Sequence, residues 1–151
     1  ELNVSRGAMS KFISNSFYPT ATLADYPTCE KFPDVDTTHP FYEYINILKC
    51  EGVIGGFSDG TFKPEVNVTR GATMKFVIEA ARKSQDDENF YASTSTTSPF
   101  TDLDTNHPFY DYVIAGYDNT LIGGYPDNSF RSDDSVTRGA MAKIVDNGRI
   151  K

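Results

Sequence analysis

The feature that most constrains this chain is that it repeats itself. Residues 32–77, FPDVDTTHPFYEYINILKCEGVIGGFSDGTFKPEVNVTRGATMKFV, align without a gap on residues 100–145, FTDLDTNHPFYDYVIAGYDNTLIGGYPDNSFRSDDSVTRGAMAKIV, with about 21 identities over roughly 46 positions. A third copy is partial: Asn3-Val4-Ser5-Arg6-Gly7-Ala8-Met9-Ser10-Lys11-Phe12 matches only the end of the unit, VTRGATMKF. A unit this short buries too little surface to stand alone, so the copies must share one core. We therefore expect one domain over residues 1–151, with residues 1–15 the C-terminal part of a first repeat, 32–83 a second repeat and 100–151 a third. Residues 16–31 and 84–99 are connectors. The first holds Pro19 and Pro27 among small polar and aromatic residues; the second turns from acidic to Ser/Thr-rich and reads as a mobile surface segment. Because the chain opens inside a unit, it reads as part of a longer protein.

Within a repeat the pattern is helix, Gly-rich turn, helix. Pro40 suits a first helical turn, where a missing N–H costs nothing. Phe41, Tyr44, Ile45 and Leu48 then share one face, and Gly52 supplies a stop. Phe109, Tyr112, Val113 and Gly116 repeat this less well. Residues 54–62 read as a turn between short extended pieces, with Asp59-Gly60 at a tight reversal. A second helix starts at Thr69 as N-cap and continues through Ala72, Phe76, Val77, Ala80 and Ala81.

Eleven Phe, nine Tyr and 38% hydrophobic residues suffice for a packed core. Asp and Glu outnumber Lys and Arg, 21 to 14, and a net charge of −7 argues against nucleic-acid or anionic-membrane partners. No apolar run approaches the ~20 residues of a membrane span. Cys29 and Cys50 could pair, stay free, or form half a metal site. With only His39 and His107 to join them, zinc is poorly served, since structural sites use closely spaced ligand pairs.

The order of these motifs resembles the S-layer homology repeat of bacterial surface proteins, whose pattern runs F-x-D-V, a His-led aromatic helix, G-x-x-x-G-Y-x-D-G-x-F-x-P, and T-R-A-E opening the last helix. The second unit supplies Phe32, Asp34, Val35, His39, Gly52, Gly56, Asp59, Gly60, Phe62, Pro64, Thr69 and Arg70. The third supplies Phe100, Asp102, His107, Gly124, Tyr125, Asp127, Phe130, Thr137 and Arg138. The resemblance implies a mainly α fold, a pseudo-threefold assembly of repeats around a helical bundle with short turns or hairpins between helices. It also implies a non-catalytic, extracellular module that binds secondary cell-wall polysaccharide, often pyruvylated, in grooves between repeats, and so anchors its parent protein to the envelope. The implied ligand-binding positions are Arg6, Arg70 and Arg138 with the turn glycines Gly55, Gly56, Gly123 and Gly124. No cofactor is implied. The surface location favours a Cys29–Cys50 disulfide. Two departures stand out: Ala8, Ala72 and Ala140 replace the family Glu, which removes a capping box three times, and Pro40 and Pro108 replace the aromatic after His.

The arginines also have a rationale of their own. Arg70 follows an N-cap, so its guanidinium lies near unpaired N–H groups and the positive helix end, a combination suited to a carboxylate. The alternative is a structural pair with Asp34. Arg70 and Arg138 are expected to matter more than Arg6, on the reading that Arg6 lacks the turn of its own repeat. Asp34-Val35-Asp36 and Asp102-Leu103-Asp104 invite a calcium reading, but no loop Gly or bidentate Glu follows, and turn or cap roles fit better. His39 and His107 read as capping or packing residues. Asn3-Val4-Ser5 and Asn67-Val68-Thr69 match a glycosylation sequon but overlap the Arg signature. Phe57 and Tyr125 could stack on sugar or pack in the core. No catalytic constellation recurs. A binding module is the preferred class; a structural subunit that self-associates in a surface layer or filament is the alternative.

Overall fold

The computed structural model describes residues 1–149. Among them are five α-helices, α1 (Arg6–Phe17), α2 (Tyr42–Cys50), α3 (Arg70–Gln85), α4 (Tyr110–Asp118) and α5 (Arg138–Gly148), and a single short 3-10 turn at Leu23–Asp25. The fold is mainly helical. Ile150 and Lys151, the end of the expected third repeat, lie outside the described residues.

The long helices begin where the repeated signature places them. Ser5, Thr69 and Thr137 keep extended backbones, and their hydroxyls accept the N–H of Ala8, Ala72 and Ala140 at 3.2, 3.2 and 3.3 Å. Each cap satisfies one orphan donor of a first turn, and the alanine contributes only its N–H. The short helices start later than Pro40 and Pro108 suggested, with Phe41 and Phe109 as N-caps. The side chains that reach them are His39 and His107, whose Nδ1 atoms each accept the N–H of Phe41 or Phe109 at 3.1 Å. Gly52 ends α2 with φ 77°, but Thr120 holds φ 60° at the matching position after α4, so left-handed backbone there does not depend on glycine.

The expected reversal is present without flanking strands. Phe57 N–H donates to Thr61 O at 2.8 Å, and Tyr125 N–H to Ser129 O at 2.9 Å. Gly60 takes φ 83° at its tip and Asn128 takes φ 61° at the same place, as asparagine tolerates.

Extended backbone instead joins the repeats. Bridges pair Asn3 with Thr137, Ser5 with Asn67 and Thr69 with Ser135. At their centre is a closed cycle: Val4 N–H donates to Val136 O (2.8 Å), Val136 N–H to Val68 O (3.0 Å) and Val68 N–H to Val4 O (2.9 Å). A second set runs round the three segments in the opposite sense, with the N–H of Arg6 donating to Val66 O, that of Arg70 to Asp134 O and that of Arg138 to Leu2 O. The three helices that leave this cycle, α1, α3 and α5, pack against one another; α2 lies on α1 and α4 on α3. Met9, Ile13, Met74, Ile78 and Met141 fill the shared interior at 0% exposure.

Two tethers hold the connectors. Cys29 is bonded to Cys50, with Cα atoms 5.8 Å apart, which ties the first connector to the end of α2. At the corresponding end of α4 stands Asp118. Its Oδ2 accepts Ser93 Oγ–H (3.0 Å) and the N–H groups of Thr94 and Ser95 (2.8 Å each), and its Oδ1 accepts Ser95 Oγ–H (2.6 Å). The Ser/Thr segment that read as mobile is therefore fastened at residues 93–95. These donors, Ser95 Oγ–H foremost, hold the Asp118 carboxyl well below the usual carboxylate range.

Each tether makes a prediction. Replacing both cysteines by serine removes a closed loop of sequence separation 21 and should cost about 3 kcal/mol by loop entropy. Chemical denaturation with and without reductant checks this, and reductant should have no effect on the double variant. For Asp118 the folded pKa lies below the unfolded one. Its contribution is therefore full above the unfolded value of about 4 and disappears as pH falls toward the folded value. The melting-temperature gap between the parent chain and Asp118→Asn should be widest near about pH 6 and narrow steadily as pH falls below about 4.

Candidate ligand-binding groove

Each signature arginine leaves its helix start, and two of the three meet the turn of the following repeat. Arg6 Nε–H donates to Phe62 O at 2.8 Å, and its guanidinium lies 4.7, 4.5 and 5.4 Å from the rings of Phe57, Phe62 and Phe76. Arg70 Nε–H donates to Phe130 O at 2.9 Å and its Nη2 to Gly123 O at 3.1 Å, with Tyr125 and Phe130 at 4.9 and 4.7 Å. The turn that receives Arg6 belongs to the second repeat and not to its own, so the absence of its own repeat's turn is no reason to rank Arg6 below the other two. The three differ: Arg6 is buried at 9% exposure, Arg70 is half-buried and Arg138 is exposed.

Among the described residues neither Arg6 nor Arg70 makes an ion pair. Burial pulls both guanidinium groups below their ordinary value, opposed by Asp34 for Arg6 and first by Tyr125, then Asp134, for Arg70. An arginine stays charged regardless, so the direction marks a partly desolvated cation.

The proposed Arg70–Asp34 pair is not formed. Asp34 instead accepts the N–H groups of Phe62 (2.9 Å) and Lys63 (2.7 Å), and Asp102 those of Phe130 (2.7 Å) and Arg131 (2.8 Å). Each aspartate thus holds the turn whose aromatic ring carries the preceding arginine. Asp36 and Asp104 accept from Thr38 and Asn106 within their own turns.

The turn glycines divide by role. A Cβ on Gly56 would stand 2.6 Å from Thr61 O, and one on Gly124 would stand 2.9 Å from Ser129 O, so these two serve packing. Nothing lies within 4 Å of a Cβ on Gly55 or Gly123, which face open space. Phe57 and Tyr125 are engaged by cations: Arg6 and Lys63 (4.3 Å) on Phe57, Arg70 and Arg131 (3.8 Å) on Tyr125. Each ring thus lies against two cations of its own surface.

Beside Arg70 a groove of about 750 Å³ opens, floored by residues 120–124 and walled by Ala140, Lys143, Ile144 and Asn147 of α5 and by Tyr117 and Asp118 of α4. Within this lining Asn147 Nδ2–H donates to Leu121 O at 3.1 Å. A second groove, about 400 Å³, carries Arg138 beside Ala8, Lys11, Phe12 and Asn15 of α1, with no turn glycine in its lining. Sequence reasoning missed the helix wall, although its signal is visible. Ala140, Lys143, Ile144 and Asn147 recur as Ala8, Lys11, Phe12 and Asn15, at the spacing of one helix face. Tyr117 and Asp118 have no counterpart in kind, since the second repeat has Lys49 and Cys50 there. The arrangement can grip an anion with Arg70 and Lys143 while open backbone at Gly123 lets it approach closely.

A profile of the S-layer homology domain matches residues 31–73 and 99–142, together more than half of the chain. Over 90 residues the chain is 32% identical to Cell surface glycoprotein 1 of Acetivibrio thermocellus, covering 60% of this chain and 4% of that protein. It is 35% identical over 90 residues to the Cellulosome-anchoring protein of the same organism, covering 60% of this chain and 19% of that protein. The chain thus spans a small part of either relative. Two matched units in one chain, each with its capped arginine and its aromatic turn, settle the family: the chain belongs to the S-layer homology domains, modules of the cell surface.

Proposed function

We propose that this chain is a non-catalytic module that anchors its parent protein to the cell envelope by binding an acidic, pyruvylated secondary cell-wall polysaccharide. The observation that carries this reading is Arg70, a half-buried guanidinium at a helix start, without a carboxylate, at the edge of an open groove. A carboxylate on a sugar would supply the missing counter-charge, with Lys143 as a second cation. The printed name of one relative, a cellulosome-anchoring protein, supports anchoring. In this reading residues 1–151 act as one domain, and the three signature segments are related by a pseudo-threefold axis. The hydrogen-bond cycle through Val4, Val68 and Val136 supports that arrangement. Arg6, with Gly55 and Gly56, and Arg138 occupy the related positions. Arg6 is the more structural of the two because three rings cover it.

Arg70→Ala should weaken binding of purified cell-wall polysaccharide by about ten- to hundredfold, the loss expected for one charge-assisted contact. Arg70→Lys should recover only part of it, because the charge stays but the planar fork is gone. Calorimetry with the native polymer and with polymer stripped of pyruvate is the measurement. Unchanged affinity in a folded Arg70→Ala chain would defeat the reading.

A further inference from the structure

We propose that Tyr117 is the sugar-stacking residue of the Arg70 groove, taking the apolar face of a pyranose ring next to its acidic substituent. The inference rests on the polysaccharide reading and adds to it the residue that recognises the sugar itself.

A sugar site needs an exposed ring held at a fixed angle beside polar groups. Four large hydrophobic residues are exposed among the described residues, Leu2, Phe57, Val66 and Tyr117, and two of them are aromatic. Phe57 already carries Arg6 and Lys63. Tyr125, the matching ring of the third repeat, carries Arg70 and Arg131 and does not line the groove. Tyr117 does line it, at 41% exposure. No cation sits on its ring, and its hydroxyl makes no hydrogen bond among the described residues. Its orientation is set from below: the ring meets Phe100 at 5.2 Å and 78°, and Phe100 is itself buried against Phe130. Next to it, the Asp118 carboxylate, which also lines the groove, is turned onto the hydroxyl and amide donors of the connector at residues 93–95. An aromatic face, an arginine, a lysine and this hydrogen-bonded aspartate border one cavity.

The second repeat offers a contrast within the same chain. Lys49 stands where Tyr117 would be, and its ammonium lies 4.5 Å from the Phe32 ring. The Arg6 position thus lacks a stacking ring, and Arg6 is buried. The pairing of ring and accessible arginine occurs at Arg70.

The chain contains no tryptophan, so Tyr117→Trp places the sole indole in the groove as a reporter. Titration with purified native cell-wall polysaccharide should change its emission, with an affinity equal to or tighter than that of the parent. Tyr117→Phe should bind as the parent does, because stacking needs the ring and not the hydroxyl. Tyr117→Ala and Tyr117→Lys should each lose roughly tenfold, with melting temperatures confirming that the variants fold. Binding that depends on Arg70 but leaves the indole emission of Tyr117→Trp and the affinity of Tyr117→Ala unchanged overturns this inference alone. A parent chain that does not bind the polymer overturns the polysaccharide reading, and this inference with it.

Discussion

The backbone cycle through Val4, Val68 and Val136 is the constraint on which the rest depends. All three residues are 1% exposed, and an unpaired amide at such depth would cost free energy comparable to a lost hydrogen bond. Each segment can satisfy its N–H and C=O only by engaging both of the others. The cycle therefore closes or fails as a unit, and it brings together pieces that lie far apart in the chain. Two residues further on, each segment enters a helix, so closing the cycle also aims three helix starts and three arginines. The grooves are a consequence of this junction.

The junction also explains why the arginine of one repeat works with the next repeat's turn. Arg6 N–H bonds Val66 O and Arg70 N–H bonds Asp134 O, which sets each side chain beside the turn that has just delivered those carbonyls. The turn is held in place by Asp34 or Asp102, which grip the two amides that follow its tip. A cation that would otherwise lose its hydration is received by aromatic faces and a carbonyl oxygen. In this frame the acidic composition and the cationic groove are compatible. The net charge belongs to the whole surface, and the cations are set locally at the helix starts.

Variation within the frame makes the grooves unequal. Phe76 adds a third ring over Arg6, where the third repeat has Ile144. Lys49 and Cys50 give way to Tyr117 and Asp118, which replaces a covalent tether by a carboxylate cap and puts an aromatic ring on the groove. Gly116 stands where the second repeat has Leu48, and a Cβ there would run into Met74. The Met74 side chain takes the space that Leu48 fills in its own repeat.

Much of this was written in the sequence, because it depends on neighbours along the chain. The repeat, the Ser/Thr caps, the Asp-Gly reversal and the family pattern all follow from local rules of spacing and hydrogen bonding. The helices α2 and α4 start about two residues beyond the prolines, after a turn in which a histidine Nδ1 accepts the N–H of Phe41 or Phe109. Other features could not be read because they lie between segments distant in sequence. Which turn each arginine meets, which aromatic rings are already covered by cations, and where the Ser/Thr connector is fastened depend on how the three signature segments close on one another. A sequence pattern fixes what each residue can donate, accept or bury; only the closed tertiary junction, by satisfying buried backbone groups across segments, decides which partner it finds.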